Sequence, residues 1–412
     1  MSFVKENANL VKIEDTVFKI VKLAKKAKEQ YGPDAVVDAT IGSLYGEDGT
    51  LVAYNTVFDT LNGISSRTKA AYAGSFTGND NYREQVCNWL FGDIHLNLAK
   101  TVIATPGGTG AVNMTMTCCL QPGQTVLLPE VAWGSYKLMA QEYGLQTKTY
   151  SLFENDAFHL NDFRLQCKEV MDAQHKLVVV INDPCHNPTG YSLTGEEGEG
   201  VISILNECGK QGPVILLNDI AYLDYSYNLN TVHKYMENFN NISDRVAVVI
   251  AFSCSKTLTS YGLRIGAAVV LAQHQQDVDT METVFEKMAR CAWSNINNSG
   301  MENFVQVTTT HREQFEKEKA VYIDYLKKRS SILVEEARQC GLPIYPYKEG
   351  FFVTIKVEDN KLRDRYHEAL MQHQIYTVIV NKGIRVAVCS TPVEKVKGLA
   401  KRLKAILDEV SR

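Results

Sequence analysis

The chain has 412 residues, 45% of them hydrophobic and 22% charged, which is enough to bury more than one core of ordinary size and unlike a disordered or fibrous chain. A net charge of −4 with dispersed basic residues excludes an extended nucleic-acid groove and a basic membrane-binding patch. Ten cysteines without a Cys-x-x-Cys pair give no metal motif and suit a reducing, cytoplasmic setting; no signal-like core is read near the start and no stretch is apolar enough to span a bilayer.

The spacing predicts a first helix over 16–30, with Val21, Leu23 and Ala24 as its apolar stripe and Lys22, Lys25, Lys26 and Lys28 on a solvated face. Six short apolar, β-branched runs follow at 101–104, 125–128, 177–181, 214–217, 246–250 and 267–271. Helix-length connections separate them, the pattern of a mainly parallel sheet covered on both faces. Beyond Gly300 the pattern changes to a long charged helix over 313–338, a strand within 350–355 and another at 384–387. This predicts an α/β protein with a large domain over 51–299 and a smaller α+β domain built from 1–50 with 300–412. No repeat, linker or low-complexity tract marks the borders.

In open parallel sheets, chemistry gathers at the carboxyl ends of the strands, and the chain places its unusual residues there. After the run at 101–104, Gly107, Gly108 and Thr109 open a helix whose backbone N–H groups suit a phosphate. After 177–181 come Asn182 and the rigid turn Asn187-Pro188-Thr189-Gly190, which presents the Asn187 amide in one place. After 214–217 stands Asp219, a carboxylate that needs a cationic partner if buried, such as a protonated pyridine nitrogen, or else caps the next helix; Tyr222 follows within reach. After 246–250 the segment Ser253-Cys254-Ser255-Lys256 leads to Arg264. A desolvated lysine near other cations is a nucleophile toward carbonyls, and Ser253, Ser255 and Arg264 suit an anion.

Asn187-Pro188-Thr189-Gly190, Asp219-Ile220-Ala221-Tyr222, and Ser253-Cys254-Ser255-Lys256 with Arg264, in this order, resemble the fold-type-I aminotransferases that use pyridoxal phosphate, particularly the aspartate and aromatic amino acid branch. The resemblance runs over nearly the whole chain and implies a sheet of the seven-stranded type. It implies that Lys256 carries the cofactor as an imine and moves the substrate Cα proton, and that Asp219 pairs with the pyridine nitrogen. Asn187 and Tyr222 match residues on the cofactor's phenolic oxygen; Gly108, Thr109, Ser253, Ser255 and Arg264 match its phosphate site. Trp133 matches an aromatic residue stacked on the ring, with core packing as the plainer reading. Arg385 matches the fork for the substrate α-carboxylate, against an internal salt bridge, and Gly42 matches a residue closing over the same group.

Two matches imply a homodimer with shared sites. Tyr72 resembles a tyrosine that reaches the neighbour's cofactor phosphate, although the loop after it is one residue longer here. Arg290 resembles the arginine that receives the side-chain carboxylate of dicarboxylic substrates. The implied reaction moves an amino group between an L-amino acid, aspartate or aromatic, and a 2-oxo acid such as 2-oxoglutarate, in a ping-pong cycle through pyridoxamine phosphate. Gly107 departs from the pattern by standing where many relatives have a serine, and Tyr136 and Asn182 stand where relatives often have histidines supporting the aspartate. The rivals are a lyase or decarboxylase on the same fold and a transcription factor using the fold as a sensor; about forty residues before Gly42 leave no room for a winged helix.

Overall fold

Every predicted run becomes a strand of one seven-stranded sheet in the computed structural model, which describes residues 3–4, 9–12, 16–229 and 231–412. Most of the first ten residues, where a leader would have been read, lie outside the described residues. The strands are β1 (Ala99–Thr105), β2 (Thr125–Pro129), β3 (Gln146–Tyr150), β4 (Leu177–Asn182), β5 (Val214–Asp219), β6 (Val246–Ser253) and β7 (Gly266–Ala272). Their order across the sheet is β1-β7-β6-β5-β4-β2-β3. Only β7 runs antiparallel to its neighbours, so the sheet is mainly parallel, as its apolar runs predict.

β4 and β5 are buried at every position because helices cover both faces. Each of their valine, leucine or isoleucine side chains contributes about 1.5–3 kcal/mol by leaving water. β3 escaped the sequence reading. Its sequence Gln-Thr-Lys-Thr-Tyr is polar because it is an edge strand, buried fully only at Tyr150.

A second, three-stranded antiparallel sheet contains β8 (Phe352–Lys356), β9 (Val378–Val380) and β10 (Gly383–Ala387), ordered β8-β10-β9. The first helix, α1 (Thr16–Tyr31), packs beside it through Ile20, Ala24 and Ala27 against Val36 and Tyr376. That stripe corrects the predicted one: Leu23 is 38% exposed and lies with the lysines, because positions 20, 24 and 27 recur on one helical face and 23 does not join them. Helix α2 (Gly107–Cys119) follows β1 directly, and the long helix α3 (Arg312–Cys340) turns a face made of Phe315, Lys319, Ile323, Leu326, Arg329 and Leu333 to the interior. No described helix is long and apolar enough to cross a membrane.

Candidate active site

The strand ends line a cleft. Register sets Asn182 of β4 beside Asp219 of β5, and Ser253 of β6 opposite Gly266 of β7, which in turn faces Thr105 of β1. The cleft holds about 540 Å³ of space, part of it open to solvent, and its lining includes Gly108, Thr109, Trp133, Tyr136, Asn182, Asn187, Asp219, Tyr222, Ser253, Ser255, Lys256 and Arg264.

Lys256 lies in the short helical turn Cys254–Thr257 that follows β6. Its Nζ makes no ion pair or hydrogen bond among the described residues and sits 4.9 Å from the centre of the Tyr261 ring and 5.8 Å from that of Tyr222. Burial pulls its pKa down to about 8; Arg264 and Arg385 push the same way, while Cys389 and Asp219 oppose them. Near neutrality a useful fraction of this amine is therefore uncharged and nucleophilic.

Asp219 is buried, and burial raises its pKa, opposed by two hydrogen bonds and by the charge of Lys256. The Tyr136 hydroxyl donates to its Oδ2 at 2.5 Å, and the Ala221 N–H donates to Oδ1 at 3.1 Å. The second contact is the local turn cap that sequence allowed. It leaves a buried carboxylate in the cleft wall with no cationic side chain bonded to it among the described residues, so the site has negative charge to spare for a cationic ligand atom. Asn182 braces the same corner: its Nδ2 donates to the Asp219 carbonyl at 2.7 Å, and its Oδ1 accepts from the Asn187 N–H at 2.6 Å. The Asn187 amide Nδ2 donates to the Tyr222 hydroxyl at 3.4 Å, and burial raises the pKa of that hydroxyl.

At the other end lies an anion cradle. The N-terminus of α2 brings Gly108 and Thr109 against Ser253, and Arg264 donates from Nη1 to the Ser255 Oγ at 2.8 Å and to the Tyr261 carbonyl at 3.0 Å. No carboxylate pairs with Arg264 among the described residues, so donors and positive charge are in excess there. Gly107 has a physical reason for not being serine: its φ is +74°, and a Cβ would stand 2.5 Å from Arg264 Nη2.

Arg385, in β10, is buried with no acidic partner among the described residues, so no internal salt bridge among them accounts for it. Its Nη1 donates to Asn187 Oδ1 at 3.3 Å and its Nη2 to the Thr40 carbonyl at 2.9 Å, while Nε has no partner among the described residues. A buried guanidinium with an orphaned N–H awaits an anion. Gly42 stands close by; a Cβ there would come within 3.1 Å of Phe352 and 4.0 Å of the Tyr222 hydroxyl. Trp133 is partly buried and packs edge-on against Tyr136, with ring centres 5.3 Å apart. Together these residues fit a ligand with a phosphate, a basic aromatic ring and a carbonyl carbon, beside a second ligand with a carboxylate.

The cleft does not include Tyr72 or Arg290. Tyr72 is 87% exposed, and Arg290 lies at the exposed end of the helix Gln275–Ala292, stacked 4.8 Å from the Phe76 ring centre. Sequence reasoning left out two cleft neighbours, Tyr261 and Cys389. Tyr261 lies five residues beyond Lys256 in the same hydroxyl-rich segment, which was a usable signal. Cys389, a buried thiol donating to the Ile41 carbonyl at 3.4 Å, offered none.

The family model for aminotransferases of class I and II matches residues 36–403. The chain belongs to this family. An aminotransferase from Anaerococcus prevotii is 32% identical, with a TM-score of 0.94 over 98% of this chain and 99% of that one. The mitochondrial aspartate aminotransferase of Schizosaccharomyces pombe is 22% identical over 258 residues, 61% of this chain and 57% of its own length. The aromatic-amino-acid aminotransferase of Burkholderia pseudomallei, solved covalently bound to pyridoxal phosphate, shares the fold at 19% identity and a TM-score of 0.79, over 99% of this chain and all of its own. Matched segments span about half the length of the curated relatives, 57%, 51% and 47% for the first three. Family membership agrees with the resemblance read from the sequence, and the family's fold agrees with the sheet described above.

Proposed function

We propose that this family member transfers an amino group between an L-amino acid, aspartate or aromatic, and a 2-oxo acid such as 2-oxoglutarate, with pyridoxal phosphate as cofactor and a ping-pong order. The observation that carries the reading is the Lys256 amine, depressed to about pKa 8 and unpaired, in one cleft with the cation-seeking Asp219 and the cradle at Arg264. The aromatic relative that holds pyridoxal phosphate covalently shares this fold.

When bound, pyridoxal phosphate supplies a carbonyl carbon for the amino group and a protonated ring that spreads the charge left when Cα loses its proton. Gly108, Thr109, Ser253, Ser255 and Arg264 would hold the phosphate, Asp219 would keep the ring nitrogen protonated, and Trp133 would cover the ring. Asn187 and Tyr222 would donate to the ring oxygen. Arg385 grips the substrate α-carboxylate as a fork and so fixes which Cα bond faces the ring plane. Lys256, uncharged above about pH 8, would take the substrate Cα proton at its Nζ and hold it for return.

Tyr72 and Arg290 we assign to the neighbouring subunit's site in a homodimer, where Arg290 would meet a dicarboxylic side chain. The division into 51–299 and 1–50 with 300–412 is proposed as the mechanical unit of closure. Ten free cysteines support a cytoplasmic location. The test is a spectrophotometric titration of the reconstituted protein with aspartate, phenylalanine and cysteine sulfinate. Bleaching of the visible band by an amino acid, and its return on adding 2-oxoglutarate, is expected. Pyruvate and ammonia formed with no acceptor present would replace the transferase by a lyase.

A further inference from the structure

The interior face of α3 carries two buried cations, and they serve different halves of the site. Lys319 pairs with Asp224 at 2.9 Å, and Asp224 also accepts the Thr257 hydroxyl at 2.6 Å, two residues from Tyr222 and one from Lys256 along the chain. Arg329 goes elsewhere. Its side chain is fully buried; Nε donates to Glu47 Oε1 at 2.7 Å, Nη2 to the Tyr45 carbonyl at 2.9 Å and Nη1 to the Cys389 carbonyl at 3.0 Å. Glu47 in turn accepts the Val393 N–H at 2.8 Å. One guanidinium thus joins the loop after Gly42 to the turn after Arg385. The same two segments meet in a Tyr45 N–H to Cys389 carbonyl bond of 2.9 Å and in the Arg385 contact with the Thr40 carbonyl.

Burying a charge is a poor way to fasten two loops, since an apolar side chain of similar volume avoids the desolvation cost. What the guanidinium adds is a rigid planar fork that reaches two carbonyls and a carboxylate at once. We propose that Arg329 is a positioning residue for carboxylate binding: acting through Glu47, Tyr45 and Cys389, it sets the Gly42 loop at a fixed distance from Arg385. This rests on the assignment of Arg385 to the substrate carboxylate. Arg329 touches neither substrate nor cofactor, so its loss displaces a binding fork and leaves the Lys256 end of the cleft intact.

The experiment uses holoenzyme reconstituted with pyridoxal phosphate in three variants: Arg329→Lys, which keeps charge and length, Glu47→Gln, and Arg385→Lys as reference. KM is measured for the donor and the acceptor, with kcat and the pH midpoint of the visible band. Arg329→Lys and Glu47→Gln are expected to raise both KM values about tenfold, as a sub-ångström misplacement of a binding group would, with kcat and the pH midpoint kept. A folded Arg329→Lys with wild-type KM values, beside an Arg385→Lys with raised ones, overturns the inference and leaves the function standing. So does a shift in the pH midpoint that matches the change in KM, since a general loosening of the fold would produce it. If Arg329→Lys does not fold, Glu47→Gln decides by the same readings. Wild-type KM values in Arg385→Lys would sink the carboxylate assignment itself, and this inference with it.

Discussion

The cleft at the strand ends and the exposed surface around Tyr72 and Arg290 answer differently to one chain folding alone. Ten of the site residues expected from the sequence meet in the cleft, held by a sheet whose register one chain fixes completely. Tyr72 and Arg290 have no such frame: one projects from the surface, and the other rests on Phe76. The cleft is therefore assembled by one chain alone, whereas the selectivity proposed for Arg290 needs a second subunit's cleft to act on.

That contrast can be broken at either end. The largest effect is expected beside the cleft, where replacing Arg385, bonded to Asn187 of its lining, by lysine keeps the charge and loses the fork; kcat/KM should fall about 100-fold for every amino acid. Equal activity with wild type would mean that the buried guanidinium serves packing alone. At the surface, Arg290→Ala should cost about tenfold in kcat/KM for aspartate and little for phenylalanine. Matching losses for both substrates would move Arg290 from selectivity to folding. The smallest effect belongs to Tyr136→Phe, which removes one of the two hydrogen bonds opposing the raised pKa of Asp219. A loss of about 1 kcal/mol at that contact corresponds to roughly fivefold in kcat. The visible band should also titrate at a shifted pH, and an unchanged spectrum would show that Asp219 needs no such support.

Most of the cleft was legible because its residues break strong local patterns: an acid at the end of an apolar strand, a lysine among serines, an arginine within an apolar strand. Each carries a cost that only a ligand or a partner removes. The contacts that tune the site were less legible from local pattern, because they join distant positions. Tyr136 and Asp219 are 83 residues apart, and only the family resemblance, which sets Tyr136 where relatives support the aspartate, links the two segments. The helix over 313–338 reads only as long and charged, and its pattern does not announce that Lys319 and Arg329 lie on its buried face, on the stripe shared with Phe315, Ile323 and Leu333. β3 was missed for the opposite reason: an edge strand needs no apolar run. Leu23, read as part of the apolar stripe, lies with the lysines because the helix period selects Ala24 and Ala27.

The central claim is that one amine, Lys256, captures a carbonyl cofactor, and it is tested most directly by trapping. Protein freed of bound small molecules is mixed with pyridoxal phosphate across pH 6–9, reduced with borohydride and mapped by mass spectrometry. A group whose pKa is lowered to about 8 is protonated and inert below that value and nucleophilic above it, so the rate of adduct formation should climb toward pH 8 and then flatten. The adduct should sit on Lys256 and be absent from Lys256→Ala. An adduct spread over surface lysines, with Lys256 unmodified at pH 8, would contradict the account.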